Sequence, residues 1–338
     1  MTQPERGATR VLLLLIGVAV TAALIWFVFR SYDVGQVWTT IRTVRIAPLV
    51  VAVILATLPF LLRVPRWQLL LLRDDGSRLP ATALWHAIAT GFAANNLLPY
   101  RAGELVRVAA VTRLADVSFA TALSSVAVER VLDALTVVGM LSVALVMVPQ
   151  SASAASSNGI AAHANQVGIG CLVALGLAVI ASRFPDHAIR TLQRLLPRGA
   201  VSDAITGFLS RLLAGLGALR DPRHAAPVLA WTLVIWLVNA SAFYVALIAF
   251  NIGLSFWGAL IVQGIVAIGI VGGLTPGNVG IFEAAIVGAL ALLGVDGERA
   301  FAYALTYHIT TFIPIAILGG WSAVRTGIGL RVKPPVAA

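Results

Sequence analysis

The chain has 338 residues and a mean hydropathy of +0.93; 59% of its residues are hydrophobic and 11% are charged. Soluble domains carry about 25% charged residues, so a soluble enzyme, a disordered chain and a coiled coil are excluded. The net charge of +10 comes almost entirely from arginine, and in a membrane protein such an excess first reports topology. No soluble part is predicted to carry these arginines, so no nucleic-acid partner is expected. The single cysteine, Cys171, excludes a disulfide framework and a cysteine-based zinc site.

Six apolar stretches are long enough to cross a membrane as helices, which takes about 20 mostly apolar residues. They cover residues 11–29, 46–62, 132–148, 167–182, 227–250 and 301–324. No small-x-small cleavage pattern follows the first stretch, so it is predicted to be an uncleaved helix rather than a signal peptide. The chain is therefore predicted to be a single multi-pass integral-membrane domain over residues 1–338.

Two other apolar stretches, 81–114 and 256–293, contain prolines, glycines and charged residues that interrupt a helix. Proline and glycine free backbone polar groups, and hydrocarbon tolerates this only where protein or a water-filled cavity satisfies those groups. Each stretch is therefore predicted to form a re-entrant hairpin, in which two half-helices enter and leave the membrane on the same side.

The loop charges predict the orientation, because loops rich in arginine stay on the cytoplasmic side. Arginines gather in loops 63–80 and 183–226 and in the C-terminal tail, whereas loops 150–166 and 251–255 contain no acid, arginine or lysine. Both termini are therefore predicted to be cytoplasmic, in a bacterial-type inner membrane; the basic loop 30–45, placed outside, is the exception. Loop 183–226 repeats apolar residues at helical spacing, which predicts amphipathic helices on the inner leaflet.

The two interrupted stretches carry related sequences. The pattern L-x-P-x-x-x-G occurs at 97–103 and again at 274–280, an acid follows each copy, and F-A-x-A-L recurs at 119–123 and 301–305. Residues 81–149 and 252–324 are therefore predicted to be two copies of one unit, inverted relative to each other in the membrane. The predicted fold is an all-α polytopic bundle with about six full spans and two re-entrant hairpins. Its binding site is expected near the midplane, at the broken helices.

The first interruption gathers polar residues that are predicted to bind a substrate: Asn95, Asn96, Arg101, Glu104 and Arg107. A helix that starts after Gly103 presents free N–H groups to an anion, and arginine matches phosphate with two parallel hydrogen bonds. Ionisable groups inside membrane segments are costly and usually functional. The structural alternative is an Arg–Glu pair that pins the hairpin, or arginines that reach the membrane interface.

Glu129, Arg130 and Asp133 share part of a helix surface, because residues three and four apart lie on the same face. One interpretation is that they supply counter-charges or a proton relay to the site. The other is a self-neutralised cluster at the cytoplasmic end of a span. The sequence supports both interpretations equally.

In the second interruption, Asn278 lies among glycines that let the backbone approach a ligand, and Glu283 is the only acid in a long apolar region. Asn278 and Glu283 are predicted to belong to the substrate-binding site, where Glu283 carries a coupling proton or balances Arg101. His86 and His308 are expected to be hydrogen-bonded structural histidines, since no metal-ligand spacing accompanies them. No metal and no cofactor is predicted.

Together these motifs resemble the lysylphosphatidylglycerol synthase transmembrane-region family, whose members are also described as flippase-like. The motifs are N-N-L-L-P-x-R-x-G-E-x-x-R at 95–107, E-R-x-x-D at 129–133 and T-P-G-N-x-G-x-x-E at 275–283. R-V-P-R-W at 63–67 is similar to the stretch after that family's second helix. The resemblance covers nearly the whole chain. It implies an inner-membrane protein with re-entrant segments, whose functional residues are Arg101, Glu104, Arg107, Glu129, Arg130, Asp133 and Glu283.

Some members of this family move aminoacylated phosphatidylglycerol between leaflets, and others are tied to polyprenyl-phosphate sugar lipids. Members that make lysylphosphatidylglycerol carry a soluble acyltransferase-like domain after the membrane part. This sequence ends soon after its last predicted span, so aminoacyl transfer is not expected of it.

The resemblance and the predicted site favour a translocase that flips an anionic phospholipid or a polyprenyl-phosphate-linked lipid between leaflets, with the headgroup phosphate at the broken helix ends. No G-x-x-x-x-G-K-[ST] motif is present, so energy is expected from an ion or lipid gradient. The alternatives are an integral-membrane enzyme or an accessory subunit acting on polyprenyl-phosphate sugar lipids. The expected partners are an anionic membrane lipid and either a second copy of the chain or a protein of cell-envelope synthesis.

Overall fold

A computed structural model describes residues 30, 32–73, 75–148, 166–170, 173, 222–273 and 275–328. The predicted span 11–29 lies outside the described residues. So do most of the predicted span 167–182 and most of the predicted amphipathic loop 183–226.

The described part of the chain is helical. Its β structure is limited to a single antiparallel bridge between Leu72 and Arg78. The helices, in chain order, are α1 (Val34–Arg42), α2 (Ile46–Leu70), α3 (Ala81–Leu97), α4 (Gly103–Ala115), α5 (Phe119–Met147), α6 (Pro222–Ala249), α7 (Phe256–Gly269), α8 (Ile281–Leu292) and α9 (Gly297–Thr326). Two single-turn 3₁₀ helices, Ile270–Gly272 and Pro276–Asn278, lie between α7 and α8.

Four of the described helices, α2, α5, α6 and α9, are long and apolar enough to cross a membrane. Large apolar side chains on their outer faces are exposed, among them Ile54 on α2 and Ile317 on α9, as expected of surfaces that face lipid rather than water. The predicted all-α membrane-helix bundle is therefore confirmed. The inverted repeat and the exact number of spans stay predictions.

Both interrupted stretches fold as two helices separated by an irregular break. In the first, α3 and α4 pack against each other and residues 98–102 join them, with Tyr100 and Arg101 at positive φ (57° and 53°). In the second, α7 and α8 pack against each other and are joined through residues 270–280. Their re-entrant course through the membrane stays a prediction.

Helix α2 is longer than predicted. The sequence placed its end at residue 62 and assigned Arg63 and Arg66 to a cytoplasmic loop, but the helix runs on through Pro65 to Leu70, and both arginines are buried. A proline is tolerated inside a membrane helix when neighbouring helices stabilise the turn around it. These two arginines therefore report an internal site rather than topology.

The short helix α1 lies within the predicted outside loop 30–45. Asp33 caps it by accepting hydrogen bonds from the N–H groups of Gly35 (2.7 Å) and Gln36 (3.3 Å), and these bonds hold the pKa of the Asp33 carboxyl below its usual value. Val37 packs into the core, while Trp38 is 53% exposed. The helix therefore has one face on the protein and an aromatic side chain on the other.

Two large apolar clusters hold the bundle together. One joins α1, α2, α6, α7, α8 and α9, and its buried side chains include Phe243, Ile286 and Tyr303. The other joins α2, α3, α4 and α5, with Trp67 and Leu84 fully buried. Because α2 contributes to both clusters, it links them.

Candidate functional site at the helix breaks

Arg63 and Arg66 of α2 lie on one face of the helix, because residues three apart are neighbours on a helix surface. Their side chains are 9% and 0% exposed. This face meets α5, where Glu129 and Asp133 are one helical turn apart and their side chains are 0% and 5% exposed. The ionic site therefore begins as a contact between two long apolar helices.

The Glu129 carboxylate is fully buried and is surrounded by arginines. Arg107 of α4 donates two hydrogen bonds to it, from Nη1 to Oε1 at 2.8 Å and from Nη2 to Oε2 at 3.0 Å. Oε1 also lies 2.5 Å from Nη2 of Arg130, 3.0 Å from Nη2 of Arg66 and 3.4 Å from Nη1 of Arg63. These contacts compensate the cost of removing a charged group from water.

Asp133 extends the site to α6. Its Oδ1 accepts hydrogen bonds from Nη1 of Arg66 at 2.6 Å and from Nε1 of Trp236 at 3.0 Å. Oδ2 lies 3.3 Å from Nη2 of Arg130. Nη1 of Arg66 also reaches the hydroxyl of Thr232 at 3.4 Å. The charged cluster, defined as Arg63, Arg66, Arg107, Glu129, Arg130 and Asp133, thus draws partners from α2, α4, α5 and α6.

Both sequence interpretations of Glu129, Arg130 and Asp133 stay predictions. The three residues lie inside α5, which begins at Phe119. Arg130 pairs with Glu129 and Asp133 on its own helix, and the two carboxylates also contact arginines of α2 and α4. The ion pairs between helices hold α2, α4 and α5 together.

The charged cluster carries a formal excess of positive charge, with four arginines facing two carboxylates. The Nε atoms of Arg63, Arg66 and Arg107 are buried and have no hydrogen-bond partner in the described part of the chain. Unpartnered buried donors are costly, and arginine binds carboxylate and phosphate through such N–H groups. The arrangement therefore favours binding of an anion.

Side-chain exposure decreases stepwise from the first break to the charged cluster. The Arg101 side chain is 34% exposed, and its Nε lies 3.9 Å from Oε1 of Glu104. The same Glu104 oxygen lies 3.7 Å from Nε of Arg130, whose side chain is 26% exposed. From Arg130 the contacts lead to Glu129, which is fully buried. Arg101 and Glu104 therefore form the accessible rim of the site.

The two helix breaks touch each other. The Tyr100 N–H donates to the carbonyl of Gly273 at 2.5 Å. A Cβ atom on Gly273 would lie 2.6 Å from Cγ of Arg101, and one on Gly277 would lie 3.1 Å from the carbonyl oxygen of Asn96. Glycine at these two positions, both with positive φ, is what permits the backbones to approach so closely.

Polar atoms without partners also gather at this junction. Oδ1 of Asn95, Nδ2 of Asn96 and Oγ1 of Thr275 are buried and make no hydrogen bond among the residues described. Asn278 is half-buried with φ of 58°, and its N–H donates to the carbonyl of Thr275 at 3.0 Å. Asn96, Arg101 and Asn278, predicted binding residues of the two interruptions, thus lie around one contact between the breaks.

The structure does not pair the Glu283 carboxylate with the Arg101 guanidinium. Its Oε2 accepts a hydrogen bond from the N–H of Gly280 at 2.7 Å, and its Oε1 lies 2.6 Å from Nδ1 of His308. The acidic partner that the structure gives Arg101 is Glu104. His308 is hydrogen-bonded through both ring nitrogens, as predicted, whereas Nδ1 of His86 has no hydrogen-bond partner among the described residues.

Several residues of the site escaped sequence reasoning. Arg63 and Arg66 were counted as loop charges, although the R-V-P-R-W motif offered a signal. Trp67 is fully buried, lies 3.7 Å below the guanidinium of Arg107 and donates from Nε1 to Ser125 at 3.0 Å. No sequence motif marks Trp236 as a residue of the site, because only the packing of α6 brings it to Asp133.

Apolar spanning helices, a charged cluster inside the bundle and two broken helices in contact define a multi-pass integral membrane protein with a buried ionic site. Residues 14–319 match the family model described as lysylphosphatidylglycerol synthase TM region. The chain belongs to this family, which confirms the resemblance carried by its motifs.

Two relatives are similar to this chain over most of its length. Glycosyltransferase AglD of Haloferax volcanii is 25% identical over 342 residues, which cover 92% of this chain and 54% of AglD. The chain therefore spans about half the length of that relative. A UPF0104 membrane protein of Methanothermobacter thermautotrophicus is 28% identical over 243 residues, covering 68% of this chain and 70% of that protein.

Proposed function

We propose that this protein moves an anionic lipid between the two leaflets of the membrane in which it lies. In this proposal the phosphate of the lipid headgroup binds to the arginines of the charged cluster, while the acyl or prenyl chains stay in the bilayer. The observation that carries the proposal is the buried excess of arginine, with Nε donors on Arg63, Arg66 and Arg107 that have no hydrogen-bond partner among the described residues.

The path for the headgroup follows the exposure gradient. A phosphate that meets Arg101 at the rim can exchange contacts with Arg130 and then with the buried arginines, as the chain of ion pairs through Glu104 suggests. At each step the anion has a cationic partner, so it avoids the large cost of crossing hydrocarbon unpaired. The contact between the two breaks would be the element that opens and closes.

The lipid class is proposed from chemistry and from one relative. Arginine clusters select phosphate over neutral headgroups. The name of AglD is that of a glycosyltransferase, which favours a sugar-bearing lipid phosphate over a plain phospholipid. A polyprenyl-phosphate-linked sugar is therefore the first substrate to test, with anionic phospholipids as the second.

A second candidate function is an enzyme or an accessory subunit that acts on the same sugar lipids. The similarity to AglD over nearly the whole of this chain favours it. Glu104, whose side chain is 27% exposed at the rim, is the carboxylate best placed to act as a general base. Formation of a new glycolipid product by the purified protein would distinguish this function from movement of an unchanged lipid.

The test is a translocation assay in proteoliposomes with headgroup-labelled lipids. Replacing Arg101 by alanine is expected to slow lipid movement at least about tenfold, because a hydrogen bond to a charged group contributes roughly 1.5–3 kcal/mol. Arg101→Lys, which keeps the charge but loses the planar pair of donors, should retain part of the activity.

Arg113→Ala is the matched control. Arg113 is an exposed arginine in the last turn of the same helix, α4, so its removal changes net charge equally without touching the rim. Both variants should elute and unfold like the wild-type protein. Wild-type transport by a folded Arg101→Ala variant would overturn the assignment of the rim, and inert lipids with product formation would favour the enzyme.

A further inference from the structure

A second buried ionisable pair lies at the break before α8, with no ion pair to the charged cluster among the described residues. Glu283 is in the first turn of α8, and His308 lies in the middle of α9. Oε1 of Glu283 and Nδ1 of His308 are 2.6 Å apart, and the two side chains are 9% and 12% exposed. The proposed path of the lipid phosphate does not use this pair.

The backbone determines which ring nitrogen of His308 carries a proton. Nε2 lies 3.0 Å from the carbonyl oxygen of Gly277. A carbonyl oxygen only accepts hydrogen bonds, so Nε2 must be the protonated donor. Nδ1 therefore either presents a lone pair to Glu283 or carries a second proton.

The short contact with Glu283 decides between these states. A 2.6 Å separation between Nδ1 and a carboxyl oxygen requires one hydrogen between them, because an imidazole lone pair facing a carboxylate at that distance is repulsive. The hydrogen belongs either to an imidazolium next to a carboxylate or to a carboxylic acid next to a neutral imidazole. In both cases the pair holds one exchangeable proton and is neutral overall.

We propose that Glu283 and His308 form a proton-binding site, in which one exchangeable proton is shared between Oε1 and Nδ1. Release of this proton leaves a carboxylate facing a lone pair, so the contact between the two side chains breaks. The binding of the proton therefore favours the closed arrangement of this break, and its release favours an open one.

Both members of the pair are held by the backbone of the break itself. Gly277 accepts from His308, and the N–H of Gly280 donates to Oε2 of Glu283. These two residues and Asn278 between them have positive φ, and Gly277 also lies against the backbone of Asn96 in the first break. A rearrangement that separates the breaks must therefore change the affinity for the proton, and by linkage the proton must bias the rearrangement.

Among the described residues, few other ionisable groups surround the pair. Helix α8 packs against α7 and α9; α7 contains no ionisable residue, and Glu283 is the only one in α8. From α9, the ring of Tyr307 stacks on Phe282, which in turn lies 4.4 Å from the ring of His308. Helix α3, which packs on the 3₁₀ turn of the break, contributes only His86, and Arg101 packs against Gly273.

The first test measures the protonation of His308 and Glu283 and does not depend on lipid transport. In the purified protein with ¹⁵N-labelled histidine, nuclear magnetic resonance reads the protonation of both His308 nitrogens, and infrared difference spectra read the Glu283 carboxyl. At neutral pH we expect either an imidazolium with a carboxylate or a neutral imidazole with a carboxylic acid. Glu283→Gln preserves the shape of the side chain and a donor to Nδ1. It should give a neutral imidazole whose partner does not titrate.

The control variant is His86→Gln. His86 is also in an apolar helix, but its Nδ1 has no hydrogen-bond partner in the described part of the chain and its ring lies 5.4 Å from that of Trp321, so its loss should leave the His308 signals unchanged. A neutral imidazole together with an ionised Glu283 in the wild-type protein would overturn the proposal. So would an imidazolium signal of His308 that persists unchanged in Glu283→Gln.

Coupling of this proton to lipid movement rests on the proposed function and has its own measurement. In proteoliposomes with a pH difference across the membrane, the rate of lipid movement should depend on the direction of the gradient in the wild-type protein. That dependence should be lost in Glu283→Gln and kept in His86→Gln. If no lipid moves under any condition, the proposed function is wrong. The proton-binding site is then still tested independently by the spectroscopic measurement.

Discussion

Arg66 shows how a single side chain can bind a membrane bundle together. Its guanidinium is fully buried and contacts Asp133 at 2.6 Å and Glu129 at 3.0 Å, on a different helix. A buried ion pair adds little net stability compared with apolar residues, but the loss of one partner leaves an uncompensated buried charge. Arg66 is therefore expected to be intolerant of replacement, whatever the protein transports.

Arg66→Met is predicted to lower the free energy of unfolding by about 3–5 kcal/mol, because it leaves Asp133 without its shortest ion pair. The measurement is reversible unfolding in mixed micelles. Arg113→Met, on the exposed face of α4, should change stability by no more than about 0.5 kcal/mol.

The double variant Arg66→Met, Asp133→Leu separates this explanation from simple loss of packing. If the cost of Arg66→Met is mainly the unpaired carboxylate, the double variant should be less destabilised than the sum of the two single variants. Strict additivity of the two changes would show that the ion pair is not the cause.

At the level of whole elements, small residues decide how closely α3 and α9 approach. A Cβ on Gly319 would lie 2.2 Å from Cβ of Ala93 and 2.5 Å from the carbonyl oxygen of Ala89, whereas a Cβ on the adjacent Gly320 meets nothing within 4 Å. Such close approach through small residues is typical of membrane helices, where van der Waals packing drives association. Since α3 ends at the first break and α9 carries His308, this contact sets the distance between the first break and His308.

Gly319→Ala is predicted to destabilise the protein by about 1–3 kcal/mol, because the added methyl group forces α3 and α9 apart. Gly320→Ala, one residue further on the same helix, should be neutral or stabilise by up to about 1 kcal/mol, since alanine has the higher helix propensity. Thermal unfolding of the two variants in one detergent measures both. Equal effects of the two substitutions would contradict the proposed role of the α3–α9 contact.

At the scale of the whole molecule, the predicted topology determines which loops share one side of the membrane. If both broken stretches are re-entrant, residues before and after each of them face the same side. The exposed residues Arg78 and Ala120 flank the first stretch, and Gly253 and Arg299 flank the second.

Single cysteines at these four positions, in a Cys171→Ser background, give a direct test with a membrane-impermeant maleimide on sealed vesicles. We predict that Arg78→Cys and Ala120→Cys are labelled from the cytoplasmic side, and Gly253→Cys and Arg299→Cys from the opposite side. Labelling of the two members of either pair from opposite sides would mean that the stretch between them crosses the membrane completely.

Much of the architecture follows from local features of the sequence. The apolar runs predicted α2, α5, α6 and α9, because length and hydropathy are properties of a segment alone. The runs around Pro99 and Pro276 predicted the two breaks, since proline and glycine act on the backbone where they stand. The motifs at 95–107, 129–133 and 275–283 were sufficient to predict the family.

By itself, then, the sequence determined that this is a multi-pass helical membrane protein of one family, with two broken helices that carry its polar residues. Only the tertiary structure decided which charges meet: Arg63 finds Glu129 66 residues away, and Glu283 finds His308 25 residues away rather than Arg101. The physical reason is that helix periodicity is local, whereas a buried charge takes its partner from whichever helix packs beside it, and no single segment encodes that choice.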